Sequence, residues 1–282
     1  MTSALQFVQT KKIKHFGILK IYGTDADLQS YGPALLKKTT AKLRSVIPAS
    51  EYGKSSHIIF GFGYYSYDFK DSYNTLKATV TKLTSDDVTV VVIITCVLTV
   101  RSLSTCKAMP ASAWDPKNNM MSSMKNTIPM KTTSFATNAK IVAFAFQMGV
   151  LNYHMPVRFM KPEYAAYQRC TRFAIGSMPE SCEGSTTKLQ SEKVMAGINT
   201  AVNRTFFITF DSLDTMKEKA DLVMSSKDRK HKFTWFLFNV HLTDVTNVCF
   251  TPKPGVAPST EMQRLKKFRE FYYAESQKYI SG

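Results

Sequence analysis

Residues Ile58 to Phe69 read IIFGFGYYSYDF, a stretch in which half of the residues are aromatic and glycines stand at 61 and 63. Two structures suit it. One is the inner strand of an RNA recognition motif, whose pattern is basic, Gly, aromatic, Gly or Ala, aromatic, aliphatic, any residue, aromatic. Gly61, Phe62, Gly63, Tyr64 and Tyr67 fit that pattern, with Phe60 in the basic place and Tyr65 in the aliphatic one. Phe62, Tyr64 and Tyr67 would then be the base-stacking rings. The other is a packed strand with Phe60, Phe62 and Tyr64 on one face. Gly61 and Gly63 would lie on the opposite face, where another backbone comes close. The surroundings favour packing, because the preceding helix leaves little room for the strand that a recognition motif needs before this one.

Outward from this stretch, Phe16–Tyr22 reads as a strand, and a helix beginning at Pro33 runs to the stop at Pro48. Thr75–Leu83 and Val88–Val100 follow as further strands. Ser85-Asp86-Asp87 supplies turn chemistry between them, so an antiparallel meander is expected. The run Ala108–Thr137 mixes prolines with Ser, Thr and Asn, has no steady period, and reads as a linker or long loop. Beyond it come strands at Lys140–Met148 and Val157–Met160, a short helix at Glu163–Arg172 and a loop at Gly176–Ser185. The apolar spacing of Leu189, Val194, Ile198 and Val202 predicts a helix over Thr187–Val202. A strand (Thr205–Phe210), a helix (Ser212–Met224), a strand (Phe233–Leu242) and a last helix from Thr260 complete the chain. The expected fold is therefore α+β and β-rich. Two antiparallel, sandwich-like sheet domains with flanking helices would occupy 1–107 and 138–282, joined by 108–137.

Lys and Arg number 37 against 21 Asp and Glu, a net charge of +16. Such a field draws phosphate-bearing partners, nucleic acid or anionic lipid. The cations gather at Lys11, Lys12 and Lys14, at Lys227, Arg229, Lys230 and Lys232, and at Arg264, Lys266, Lys267 and Arg269 of the last helix. These are the candidate lipid or nucleic-acid contacts. The five cysteines (96, 106, 170, 182 and 249) are widely spaced with no CxxC pair, which reads as free thiols in a reducing compartment. The amino-terminal residues carry no secretory leader pattern, and the apolar run Val88–Val100 is too short to span a bilayer.

No HExxH, GxSxG or phosphate-loop motif occurs, and the five histidines are scattered. The reading expects no enzyme, no metal and no cofactor. The whole pattern, with CVLTVRSLSTCK (Cys96–Lys107) and NAKIVAFAFQMGVLNYHMPVRFM (Asn138–Met160), resembles the matrix proteins of enveloped negative-strand RNA viruses, of the paramyxovirus and pneumovirus type. That resemblance implies a structural protein that self-associates under the envelope of the virion. It implies contacts with anionic membrane, viral ribonucleoprotein or RNA, and glycoprotein tails, with host cytoplasm and plasma membrane as its other locations. The alternative is a viral nucleoprotein or movement protein that binds single-stranded RNA through the basic loops and the Phe62/Tyr64/Tyr67 strand.

Overall fold

The computed structural model describes residues 10, 13–21, 32–63, 88–98, 105–116, 123–128, 141–177, 186–199, 203–225, 233–243 and 261–280. Its contacts divide the chain into two interleaved units. One comprises 1–94, 127–144 and 230–235, the other 95–126, 145–229 and 236–282.

In the first unit, β1 (His15–Ile21) is followed by α1 (Gly32–Arg44), β2 (His57–Phe62) and β3 (Val90–Ile93). β1 pairs with β2 in parallel, β2 with β3 in parallel, and β3 with β4 (Ile141–Gln147) in parallel. With β10 (Phe233–Phe238) these make a five-stranded sheet of order β1-β2-β3-β4-β10. The expected antiparallel meander is thus corrected. The reason lies in the residues: a half-solvated antiparallel strand alternates polar and apolar, whereas a parallel strand covered on both faces is apolar throughout. All four residues of β3 are buried, as are four of the six in β2.

Phe62 packs with Ile58, Phe60, Val91, Ile93 and Val142 in one core, edge-to-face with Phe60. It has no free face for a nucleobase. Gly61 shows why glycine stands there: a Cβ would lie 2.6 Å from the Leu19 carbonyl oxygen of β1. Gly61→Val should therefore lower stability by about 2 kcal/mol or more, since neither backbone can retreat without breaking the sheet. Chemical denaturation beside Ala49→Val, at an exposed position, checks this.

The second unit holds α2 (Met124–Thr127), β5 (Val150–His154), α3 (Pro162–Ala165), β6 (Arg172–Gly176), β7 (Thr186–Leu189), β8 (Val194–Asn199), β9 (Phe206–Phe210), α4 (Leu213–Met224) and α5 (Glu261–Ile280). Its sheet has the order β6-β5-β9-β8-β7, with every neighbouring pair antiparallel. The helix expected over Thr187–Val202 is a hairpin instead. Val194, Ala196 and Ile198 are buried at a period of two, and Lys193 turns the chain with φ 54°. The 108–137 run is not loose where it is described: Ala108, Ala111, Ser112 and Ala113 are fully buried in this unit. Their small side chains let the backbone pass through the core. The expectation of free thiols is also corrected, since Cys106 and Cys170 form a disulfide across a sequence separation of 64. Spacing along the chain does not reveal which Cα atoms meet. The predicted α4 is present, capped by Ser212, whose side chain accepts from Thr215 N–H. The strand expected over Thr75–Leu83 lies outside the described residues.

Candidate functional site

A cavity of about 280 Å³ opens in the second unit, lined by Glu163, Tyr167, Lys188, Gln190, Ser191 and Glu192 among others. Two local devices build it. Pro162 starts the single turn of α3, and Tyr167 just beyond adopts φ 68°. That left-handed residue donates its N–H to the Ala108 carbonyl at 2.7 Å, while its hydroxyl donates to Glu192 Oε1 at 2.6 Å. The second device is the β7–β8 turn, which carries Gln190, Ser191 and Glu192. It is pegged by Trp114 N–H to the Glu192 carbonyl at 3.0 Å and Asp115 N–H to the Ser191 carbonyl at 3.2 Å. Trp114 and Asp115 belong to the 105–116 segment of the same unit, so one rim of the cavity is tied to that segment.

The charges are unequally committed. Lys188 pairs with Glu218, as does Lys193 at 3.0 Å. Partial burial opposes the Glu218 charge, but the hydrogen bonds and positive charge of Lys188 and Lys193 outweigh it and hold this carboxyl below its ordinary value. Glu163 accepts from the Thr187 hydroxyl at 3.2 Å and is exposed. Glu192 is only 4% exposed. Neither Glu163 nor Glu192 has a basic partner among the described residues. The wall thus combines two carboxylates, an ammonium, an amide, a hydroxyl and a half-buried phenol ring with the apolar Ala166 and Leu189, a mixture that suits a ligand with both hydroxyls and apolar ring faces.

A second polar group is structural. Asp211, at the end of β9, receives Lys219 of α4 and the Ser112 hydroxyl, and Thr215 Oγ1 donates to it at 3.2 Å. Lys219 also donates to the Ser112 carbonyl at 2.8 Å. Ser112, Asp211 and Lys219 are all fully buried, so no ligand reaches them. Gln147 is fully buried too. Its amide accepts from Gly149 N–H and Asn239 Nδ2 and donates to the Val97 carbonyl, each at 3.0 Å. It braces the strand ends rather than facing solvent. Among the described residues, no group of three His, Cys, Asp or Glu is placed to hold a metal ion.

The residues singled out by charge lie elsewhere. Lys14 is exposed before β1, and Lys266, Lys267 and Arg269 are exposed on α5. Lys266 is 3.9 Å from Glu270, and Arg269 lies over the Tyr273 ring. Arg264 is corrected as a surface contact, since it is buried and donates to the carbonyls of Asp211 and Met148. Phe268 is buried against Phe146, so this side of α5 packs on its own unit. Lys11, Lys12, Tyr64, Tyr67, Lys227, Arg229, Lys230 and Lys232 lie outside the described residues. None of the cavity residues was singled out from the sequence. The signal that would have found them is the polar run Gln190–Lys193 between two short stretches of strand-like alternation.

The fold is that of the chitinase-like proteins, a TIM-barrel-type architecture. An immunomodulatory active chitinase from Trichuris suis superimposes with a TM-score of 0.59 at 12% identity, over 94% of this chain and 72% of that one. A glycoside hydrolase family 18 N-acetylglucosaminidase from Paenibacillus barengoltzii gives 0.60 at 10%, over 95% and 74%. A chitinase-like agglutinin from Robinia pseudoacacia gives 0.56 at 11%, over 95% and 71%. No protein-family model and no curated protein sequence matches the chain.

These likenesses overturn the resemblance to viral matrix proteins, and with it the two sandwich-like domains, the assembly role under a virion envelope and the RNA-binding alternative. High charge and β-rich halves are properties of composition that unrelated folds share. The expectation of no enzyme is corrected on the same ground: it rested on missing contiguous motifs, and structures with this fold include an active chitinase and an N-acetylglucosaminidase, so the lack of such motifs does not exclude activity.

Proposed function

We propose that this chain recognises N-acetylglucosamine-type oligosaccharides, seating one sugar unit in the cavity between α3 and the β7–β8 turn. The observation that carries the reading is the fold, matched over 94% of the chain to an active chitinase. The agglutinin with the same fold is named for binding rather than turnover. The cavity supplies what a sugar needs. Tyr167 offers a ring edge and face, and Glu163, Glu192, Gln190 and Ser191 offer hydrogen-bonding groups.

A second reading, hydrolysis at the same cavity, is favoured by one observation: two carboxyls line it, one enclosed and one open to water. An acid and a base working together require that inequality. Titration calorimetry with chitin tetrasaccharide, and chromatography of the same mixture after incubation, test both readings. Binding is expected, and Tyr167→Ala should weaken it about tenfold. Absence of binding removes the first reading, and binding without new products removes the second. The disulfide supports an oxidising compartment for the folded protein.

A further inference from the structure

The cavity's charge points to a narrower ligand class within the carbohydrate reading on which this inference rests. We propose that it selects a cationic amino sugar, the deacetylated glucosamine unit, over its neutral N-acetylated form.

Three features lead there. Glu192 is almost fully enclosed, lines the cavity, and has no basic partner among the described residues. Its one observed side-chain partner is a neutral phenol, Tyr167. An enclosed carboxylate held only by a neutral donor is under-compensated, and an incoming ammonium group would supply the missing charge. Glu163 adds a second carboxylate on the same wall. Lys188, the one basic residue in the lining, shares the single carboxylate of Glu218 with Lys193, so those three groups keep one positive charge against the two negative charges of Glu163 and Glu192, and the local balance stays negative by one.

The arrangement stands against the sign of the whole molecule, which carries +16. That general field is screened beyond about 8 Å at physiological ionic strength, whereas an ammonium group in the cavity would touch the carboxylates directly. The local charge therefore decides what enters, and the distant one affects only the rate of approach. An N-acetyl group presents a neutral amide and a methyl to the same wall. It leaves the charge of Glu192 without a counter-charge.

The test is calorimetric titration of the full chain with chitin tetrasaccharide and with its fully deacetylated counterpart, in mildly acidic buffer where the amines are protonated. The deacetylated chain should bind about tenfold more tightly or better, the worth of one charge-assisted hydrogen bond. Added salt should erode that preference, and Glu192→Gln should abolish it, bringing the two sugars to equal affinity. Glu163→Gln, at an exposed position that does not risk folding, should reduce the preference in part. Equal or tighter binding of the acetylated chain, with Glu192→Gln unchanged, overturns the cationic selection and leaves the carbohydrate reading standing. If neither sugar binds, the carbohydrate reading fails. Titration with ethanolamine then separates the two: uptake lost in Glu192→Gln retains the cation site, and no uptake overturns it.

Discussion

Replacing Lys219 by methionine is expected to remove about 3–5 kcal/mol of folding stability, more than any surface change in this chain. The reason is what the lysine leaves behind. Its ammonium donates to Asp211 and to the Ser112 carbonyl, and it lies 5.4 Å from the centre of the Phe146 ring. With the lysine gone, a fully buried Asp211 carboxylate keeps only two hydroxyl donors, Ser112 and Thr215. Asp211→Asn should be damaging for the mirror reason, since it strands the ammonium group. Removing both charges with Asp211→Leu and Lys219→Met should recover much of the loss, because each single variant mostly measures an uncompensated charge rather than the net worth of the pair. Urea denaturation of the three variants checks this. Single variants as stable as the wild type would mean that the pair is not enclosed as described.

The same pair sets a pH dependence. Burial pushes Lys219 below the ordinary lysine value and outweighs the opposite pull of Asp211. The unfolded chain therefore keeps this proton to a higher pH than the folded one. Between the two values the unfolded state binds more protons, so this group makes stability rise with pH across that window. Below the window both states are protonated and the group contributes no slope. The stability difference between wild type and Lys219→Met should widen as pH is raised toward the ordinary lysine value, and a difference that narrows would reverse the assignment.

What the sequence disclosed followed from how local each signal is. The helix at Gly32–Arg44 announces itself by Pro33 and apolar spacing, and the expected helix over Ser212–Met224 is present as α4. The close approach at Gly61 was legible too, because alternation on a strand sends the glycines to one face. Strand direction was not. IIFGF and VVVI are strands in either geometry, and only their burial on both faces reports the parallel order. The β7–β8 hairpin was hidden because Leu189, Val194 and Ile198 satisfy a helical period and Val194, Ala196 and Ile198 satisfy a strand period. That ambiguity carried the candidate site with it, since Gln190, Ser191 and Glu192 converge with Glu163 and Tyr167 only when the chain turns at Lys193. Charge misled most. It drew attention to Arg264, whose cation caps backbone carbonyls inside the core, and away from a cavity whose character comes from two carboxylates.

Loss of the Cys106–Cys170 bond is the other change of comparable size. Closing a loop over a separation of 64 residues restricts the unfolded chain by about 4 kcal/mol in the chain-entropy account. In a chain of this length that corresponds to a fall of about 10 °C in melting temperature. The paired variant Cys106→Ser, Cys170→Ser avoids a stray thiol and should melt with the reduced wild type, below the oxidised form. The bond also has a local task. Beside it, Cys170 N–H donates to the Cys106 carbonyl at 3.0 Å, Ala108 N–H to the Gln168 carbonyl at 2.9 Å, and Tyr167 N–H to the Ala108 carbonyl at 2.7 Å. These three bonds fix Tyr167, and through its hydroxyl Glu192, against the Ala108 segment. Reduction should therefore weaken sugar binding at temperatures well below the melting transition, because the wall loosens before the unit unfolds. A reduced protein that binds the tetrasaccharide as tightly as the oxidised one would show that backbone hydrogen bonds alone hold the wall. An unchanged melting temperature in the paired serine variant would remove the disulfide from the account of stability.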